Sequence, residues 1–235
     1  MGNRDLSKAA VYMDYPNNPT GVVNLELVRQ VVDHVSKHGG VPIVDLAFGE
    51  VLGDEFRDVM QFTLDHGGIV LSSLSKTQGL PSLRAGYAIM SDKVTNGYTK
   101  SERLVFGLSP EAELAYQTLY AQNEDGITLA QVQAERAATY NIQTNEELTR
   151  GLSVLGLRIA TTDTRIPIQV IISELPDFHE RLAQQGISTE SLADYGITLN
   201  LRRTKRGYGS SAVRMLTPRP GQLEEVLQRV KLALQ

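Results

Sequence analysis

The sequence contains no cysteine. This absence excludes disulfide bonds, thiolate metal sites and a cysteine nucleophile, and it fits a reducing compartment, so we expect a cytoplasmic protein. No metal site is predicted from histidine either. His34 and His38 have the four-residue spacing of a metal pair on a helix, but no third ligand accompanies them, and a solvated helix face is the interpretation.

The chain also lacks a long apolar run and a strong excess of charge. No stretch approaches the roughly 18 consecutive apolar residues that a membrane-spanning helix needs, and residues 1–8 are too polar for a signal peptide. The 23 basic and 27 acidic side chains give a formal charge of -4, which indicates neither a nucleic-acid-binding surface nor a membrane-binding one. We therefore expect small-molecule chemistry.

The first half of the chain alternates short apolar runs with amphipathic helices, a pattern typical of a mostly parallel sheet with flanking helices. Asn24 is a good helix N-cap, and Gly39 and Gly40 end the helix that it begins. The predicted strands are residues 11–14, 41–44, 68–71 and 85–90, and the predicted helices are residues 24–38 and 56–65. We assign residues 1–126 to a first domain of α/β class.

The second half of the chain begins with a long helix and ends in a smaller unit. Residues 127–155 have helical composition without proline and are predicted to connect two domains. Residues 156–235 are predicted to form a small C-terminal α/β domain. The other predicted helices are residues 110–121, 176–185 and 222–234, and the predicted strands are residues 158–161, 166–172, 197–201 and 212–216.

Polar clusters follow three of the predicted strands. They are YPNNPTG at residues 15–21, Asp45, and the stretch Ser73-Leu74-Ser75-Lys76. Ligands gather at the carboxyl ends of parallel strands. Each cluster also has a simpler interpretation, because Asn, Pro and Gly are ordinary turn residues, an aspartate often caps a helix, and most lysines are solvated.

The stretch around Lys76 has the residue types of a carbonyl and phosphate site. A partly desolvated lysine can attack a carbonyl to form a Schiff base, and hydroxyls together with Arg84 suit a phosphate group. A phosphate beside such a lysine suggests pyridoxal phosphate. Asp45 could face the pyridine nitrogen and keep the ring protonated as an electron sink.

Four short motifs occur together in one order: Asn18-Pro19-x-Gly21, Asp45-x-x-Phe48, Ser73-x-Ser75-Lys76 and Arg84-x-Gly86. Asn18 and Asp45 are 27 residues apart, and Asp45 and Lys76 are 31 apart. Each motif alone is a weak signal. Together they resemble the fold-type I pyridoxal-phosphate enzymes, in particular the class I/II aminotransferases of the aspartate aminotransferase superfamily. The resemblance implies a partial large cofactor-binding domain followed by a small C-terminal domain.

The resemblance implies a role for each motif residue. Lys76 would carry the cofactor as a Schiff base and move the substrate proton, Asp45 would pair with the pyridinium nitrogen, and Asn18 would bind the ring oxygen and lie near the substrate. The cofactor phosphate would be held by Ser73 and Arg84, with Ser75 as a helper.

Arg214, in the stretch Ala212-Val213-Arg214-Met215, resembles the arginine of the family that binds the substrate α-carboxylate. The forked guanidinium suits bidentate pairing with a carboxylate better than a lysine does. An alternative stays open, because strand alternation could place Arg214 on a solvent-exposed face.

Two features depart from the family pattern. Phe48 stands where the family usually has a tyrosine, so one hydrogen bond to the cofactor ring oxygen is lost, which is worth about 0.5 to 1.5 kcal/mol. Only fourteen residues precede YPNNPTG, whereas family members carry several strands and a phosphate-binding loop there. The resemblance then implies unpaired sheet edges, and with them poor solubility or dependence on another chain.

We therefore predict a pyridoxal 5'-phosphate-dependent aminotransferase that acts on an amino acid and a 2-oxo acid, as a homodimer or with a complementing N-terminal chain. Two alternatives stay open. One is a lyase, decarboxylase or oxidase of the same fold. The other is a split chain that is inactive without its complement.

Overall fold

The computed structural model describes residues 5–98, 108–160, 162–197 and 211–235. The contacts divide the chain into two compact units, the first within Met1–Asn17 and Val23–Ala138 and the second within Asn18–Val22 and Thr139–Gln235. Both units combine strands with helices, which confirms the α/β class. The domain bounds predicted from the sequence stay a prediction.

The first unit contains a four-stranded sheet of order β1-β2-β3-β4. Its strands are β1 (Ala10–Asp14), β2 (Val41–Asp45), β3 (Ile69–Ser73) and β4 (Gly86–Met90). The first three run parallel, and β4 is antiparallel to β3. The mostly parallel sheet is therefore confirmed, and β1, β2 and β3 end at the same edge.

The helices of this part of the chain follow the predicted periodicity. They are α1 (Leu25–Lys37), α2 (Asp54–Asp65), α3 (Asp92–Tyr98) and α4 (Pro110–Tyr120), followed by α5 (Leu129–Val154), which continues into the second unit. Asn24 caps α1 as predicted, since its side chain accepts a hydrogen bond of 3.0 Å from the Leu27 amide. Helix α3 was not predicted. Within the described ranges, no helix is long and apolar enough to cross a membrane.

The second unit contains an antiparallel sheet of order β5-β6-β8-β7. Its strands are β5 (Arg158–Ile159), β6 (Ile168–Ser173), β7 (Glu190–Ser191) and β8 (Ser211–Leu216), and two helices, α6 (Phe178–Gln184) and α7 (Leu223–Ala233), accompany them. One core joins these elements to the end of α5. Its fully buried members include Leu148, Leu152, Ile171, Phe178, Leu182, Val213 and Val230.

Two strand predictions in this unit differ from the structure. The strand predicted at residues 197–201 begins at Ile197, which lies outside the sheet, and its other residues lie outside the described part of the chain. The sheet instead contains β7, which was not predicted because its two residues, Glu190 and Ser191, form no apolar run. Strand β5 is shorter than predicted: it comprises Arg158 and Ile159, and the Ala160 amide just beyond it still donates to the Val170 carbonyl of β6 at 2.9 Å.

Gly21, the last residue of YPNNPTG, has a backbone conformation that favours glycine. Its φ is +68°, and a Cβ there would lie 3.2 Å from both the Cβ and the carbonyl oxygen of Ile168 on β6. A side chain at this position would therefore meet both a left-handed backbone and a crowded neighbour. The motif is a turn, and Gly21, which belongs to the second unit, packs closely against Ile168 of that unit's sheet.

We expect Gly21→Ala to destabilise the chain by about 2 kcal/mol, because it combines backbone strain with close contacts. Gly126→Ala is a matched control, since Gly126 has a φ of +75° with nothing within 4 Å of an added Cβ. Denaturant unfolding of both variants measures the difference. Equal losses would contradict the role assigned to the contact with Ile168.

Candidate active site

Asp45 lies at the carboxyl end of β2, where two donors hold its carboxylate. The Ala47 amide donates to Oδ1 at 2.8 Å, and the Tyr12 hydroxyl donates to Oδ2 at 2.7 Å. Partial burial raises the pKa of Tyr12, and the hydrogen bond to Asp45 raises it further. Tyr12 therefore stays protonated and keeps donating. Sequence reasoning missed it, although its place in β1, the strand beside Asp45, was predicted.

Hydrogen bonds from the Ser73 side chain connect the two ends of the loop between β3 and β4. Ser73 Oγ accepts from the Ser75 amide at 3.1 Å and donates to the Ala85 carbonyl at 3.4 Å. Leu74, within the loop, is fully buried. A Cβ at Gly86 would lie 2.8 Å from the Ser72 carbonyl oxygen, so the Arg84-x-Gly86 motif needs glycine where β4 approaches β3.

Lys76 is exposed on this loop, with its Nζ atom 4.8 Å from the centroid of the Phe48 ring. An ammonium group over an aromatic face is attracted by the ring quadrupole. The sequence predicts a partly desolvated lysine, but among the described residues only Phe48 covers one side of Lys76. The buried residues of the loop are instead Leu74 and Gln78. Phe48, itself 8% exposed, thus contacts the lysine instead of donating a hydrogen bond.

Arg84 is exposed and has a left-handed backbone, with a φ of 48°. Its Nη1 atom donates to the Pro81 carbonyl oxygen at 3.3 Å, and no acidic partner of Arg84 occurs among the described ion pairs. The guanidinium and the nearby hydroxyls of Ser73 and Ser75 are a donor set suited to an anion such as phosphate.

Glu50 is the centre of a buried polar network that sequence reasoning missed. It begins a short 3₁₀ helix, Glu50–Leu52, and is 8% exposed. Gln78 Nε2 donates to its Oε2 at 2.6 Å, and the hydroxyls of Tyr120 and Tyr87 donate to its Oε1 at 2.8 and 3.4 Å. Gln78 also donates to the Ala130 carbonyl at 3.3 Å.

This Glu50 network connects the two loops that carry the candidate site. Glu50 lies two residues after Phe48, and Gln78 lies two residues after Lys76. A buried carboxylate needs its donors, so the network holds the two loops in one arrangement. In the sequence, Glu50 and Gln78 are simply polar residues just beyond two motifs, and no periodicity indicates that they are buried.

The other two predicted site residues, Asn18 and Arg214, belong to the second unit. Asn18 Oδ1 is buried and has no hydrogen-bond partner in the described chain. Arg214 is 8% exposed, on β8 between β6 and β7. The alternative of a solvent-exposed Arg214 is therefore wrong, because its side chain is only 9% exposed. The first unit brings together the predicted residues Asp45, Phe48, Ser73, Ser75, Lys76 and Arg84.

Comparison with known proteins shows the family of the chain. The family model for aminotransferase class I and II matches residues 3–215. The chain belongs to this family. This family membership implies pyridoxal 5'-phosphate as the cofactor.

Curated relatives and solved structures match most of this chain but only part of their own. A histidinol-phosphate aminotransferase from Methylibium petroleiphilum is 31% identical over 150 residues, 58% of this chain and 39% of the relative. Histidinol-phosphate aminotransferase 2 from Pasteurella multocida is 28% identical over 82% of this chain and 51% of its own length. The chain thus spans about half the length of such relatives or less.

The solved structures show the same fold. The histidinol-phosphate aminotransferase from Clostridium acetobutylicum has a TM-score of 0.73 at 18% identity, covering 94% of this chain and 63% of that one. A Thermus thermophilus aspartate aminotransferase mutant complexed with tryptophan has a TM-score of 0.71 at 19% identity, covering 95% and 56%. Both comparisons support a partial large domain followed by the small one.

The described residues fit the cofactor that this family implies. Lys76 offers an exposed amine for covalent attachment, and Arg84 has no acidic partner in the described chain. Asp45 offers a fixed carboxylate at the same sheet edge. In the second unit, Asn18 Oδ1 is a buried acceptor without a partner among the described residues.

We expect Tyr120→Phe to lower the free energy of unfolding by about 1 to 3 kcal/mol, because buried Glu50 would lose a donor. Tyr116→Phe is the matched control on the same helix. The Tyr116 hydroxyl is buried without a partner, so its removal should be neutral or stabilising. Denaturant unfolding at neutral pH compares the two, and a larger loss in Tyr116→Phe would refute the assignment.

Alkaline pH should reduce the contribution of Tyr120 to the free energy of unfolding. Burial, followed by the charge of Glu50, raises the pKa of Tyr120 in the folded state. Above pH of about 10 the unfolded chain loses this proton while the folded chain keeps it, so stability falls by at most about 1.4 kcal/mol per pH unit for this group. The stability difference between the unchanged chain and Tyr120→Phe should therefore narrow between pH 9 and 11. A constant difference would contradict the raised pKa.

Proposed function

We propose that the chain is the catalytic part of a pyridoxal 5'-phosphate-dependent aminotransferase, which transfers an amino group between an amino acid and a 2-oxo acid. The observation that carries this proposal is the placement of Asp45 and the Lys76 loop at neighbouring ends of β2 and β3. The bound cofactor supplies an electron sink that makes the α-proton of an amino acid acidic.

Lys76 has two tasks in this proposal. Its amine would hold the cofactor covalently, and as a free amine it would move the proton at the substrate Cα. The Phe48 ring beside Nζ limits where the amine can lie. The hydrogen bond from Gln78 to Glu50 holds the loop, and so keeps Lys76 near the Phe48 ring.

Asp45 holds the proton on the cofactor ring nitrogen, which preserves the electron sink. Its carboxylate is already oriented by Tyr12 and the Ala47 amide, so little reorganisation is needed when the ring binds. Ser73, Ser75 and Arg84 bind the phosphate as neutral and charged donors.

Asn18 and Arg214 complete the assignment. Asn18 donates to the cofactor ring oxygen through its Nδ2 amide and lies beside the substrate, and its Oδ1, which has no partner among the described residues, stays available to accept from a separate donor. Arg214 binds the substrate carboxylate, which the fork of its guanidinium suits. The curated relatives described above are named aminotransferases, which favours amino-group transfer over lyase, decarboxylase or oxidase chemistry and suggests a biosynthetic role in amino acid metabolism.

We also propose that the enzyme works in the cytoplasm as a homodimer or with a complementing chain. Within the described part of the first unit, β1 and β4 are the outer strands of the sheet and pair on one side. Tyr12 on β1 is 56% exposed and Ile89 on β4 is 36% exposed. Such edges support pairing with further strands.

Borohydride reduction tests the role of Lys76. The chain incubated with pyridoxal 5'-phosphate should become yellow, lose the colour on reduction, and carry the cofactor mass on the peptide with Lys76. Lys76→Ala should remain unlabelled, whereas Lys93→Ala, which removes an exposed lysine of α3, should be labelled like the unchanged chain.

A folded chain that stays colourless and unlabelled, alone and with added complementing strands, would refute the proposal. Labelling of Lys76 only after a second, complementing polypeptide is added would support the split-chain form instead.

A further inference from the structure

The arginine assigned to the substrate carboxylate already holds a carboxylate from its own chain. Arg214 Nη1 donates to Glu190 Oε2 at 2.5 Å. The two residues face each other in the register of β7 and β8, so the pair is built into the sheet. Arg214 is 8% exposed, and a covered guanidinium needs an anionic partner because desolvation of an unpaired charge is costly.

Glu190 depends on this pairing less than Arg214 does. Its side chain is 48% exposed, so water can solvate the carboxylate once it leaves Arg214. The Tyr195 hydroxyl also donates to Oε2, and this hydrogen bond raises the pKa of Tyr195, which keeps the tyrosine a donor. Glu190 can therefore be replaced on Arg214 by another carboxylate, which keeps the covered guanidinium paired.

Glu190 also leaves part of the guanidinium unused. Arginine offers five N–H donors in a planar fork, and here Glu190 is bound through Nη1 while Nε lies buried without a partner in the described chain. A free carboxylate could satisfy two donors of the fork at once. Two carboxylates on one arginine would repel each other, so an incoming one competes with Glu190.

We propose that Glu190 is a displaceable internal carboxylate that occupies Arg214 in the free protein and sets how tightly the site binds an external carboxylate. This inference rests on the proposed role of Arg214. Glu190 is then a specificity-determining residue: ligands whose carboxylate forms the full fork displace it, and weaker anions do not.

Calorimetric titration with maleate tests the inference, because maleate carries carboxylates and no amine that could react. The full chain, loaded with pyridoxal 5'-phosphate, is compared with Glu190→Gln, which keeps the shape but removes the competing charge. We expect Glu190→Gln to bind maleate about tenfold more tightly, or about 1.4 kcal/mol. Glu190→Asp, with a shorter reach and the same charge, should fall between the two.

Two further variants make the result specific. Glu225→Gln removes the carboxylate of the exposed Glu225–Arg229 pair on α7 and should bind maleate like the unchanged chain. Arg214→Lys, which keeps the charge without the fork, should weaken binding at least tenfold. Unfolding curves for each variant confirm that the titrated protein is folded.

Unchanged or weaker maleate binding by folded Glu190→Gln would overturn the inference, as would an Arg214→Lys variant that binds normally. The same titrations on the cofactor-free chain separate this result from the proposed function. A chain that never attaches the cofactor at Lys76 refutes the aminotransferase assignment, whereas competition between Glu190 and maleate is read from Arg214 alone.

Discussion

The parallel pairing of β2 with β3 is the constraint on which the candidate site depends. Val44 and Val70 face each other in this pairing and are both fully buried. A slip of one residue would turn these side chains to the opposite face of the sheet, so the core fixes the register. That register sets Asp45 opposite Leu71, and the loop with Lys76 begins just beyond.

The Glu50 network adds a second level of order above the sheet. The ends of β2 and β3 determine where the loops with Phe48 and Lys76 start. These loops are irregular, so their conformation depends on further hydrogen bonds. Glu50 provides them by accepting from Gln78 on one loop and from Tyr120 on α4. A buried carboxylate needs its donors. The Glu50 carboxylate has three, whereas Gln78 Oε1 is buried without a partner among the described residues.

Local patterns were enough to predict most elements and the motif residues. The Asn24 cap, the strand that ends at Asp45 and the turn at Gly21 each depend on neighbours along the chain. The contacts of Tyr12, Glu50 and Glu190 depend on strand order and loop path, which a single sequence does not reveal. Strand β7 has two residues, too few to show the alternation of a strand. The exposure of Lys76 depends on the path of the loops around it, which local patterns do not predict.

The most direct test of the account is a crystal structure of the chain with pyridoxal 5'-phosphate. We predict continuous density from Lys76 Nζ to the cofactor, with the phosphate at Ser73 and Arg84 and the ring nitrogen within hydrogen-bond distance of Asp45. A cofactor bound elsewhere, or one attached to Lys76 with Asp45 remote from its ring nitrogen, would contradict the account.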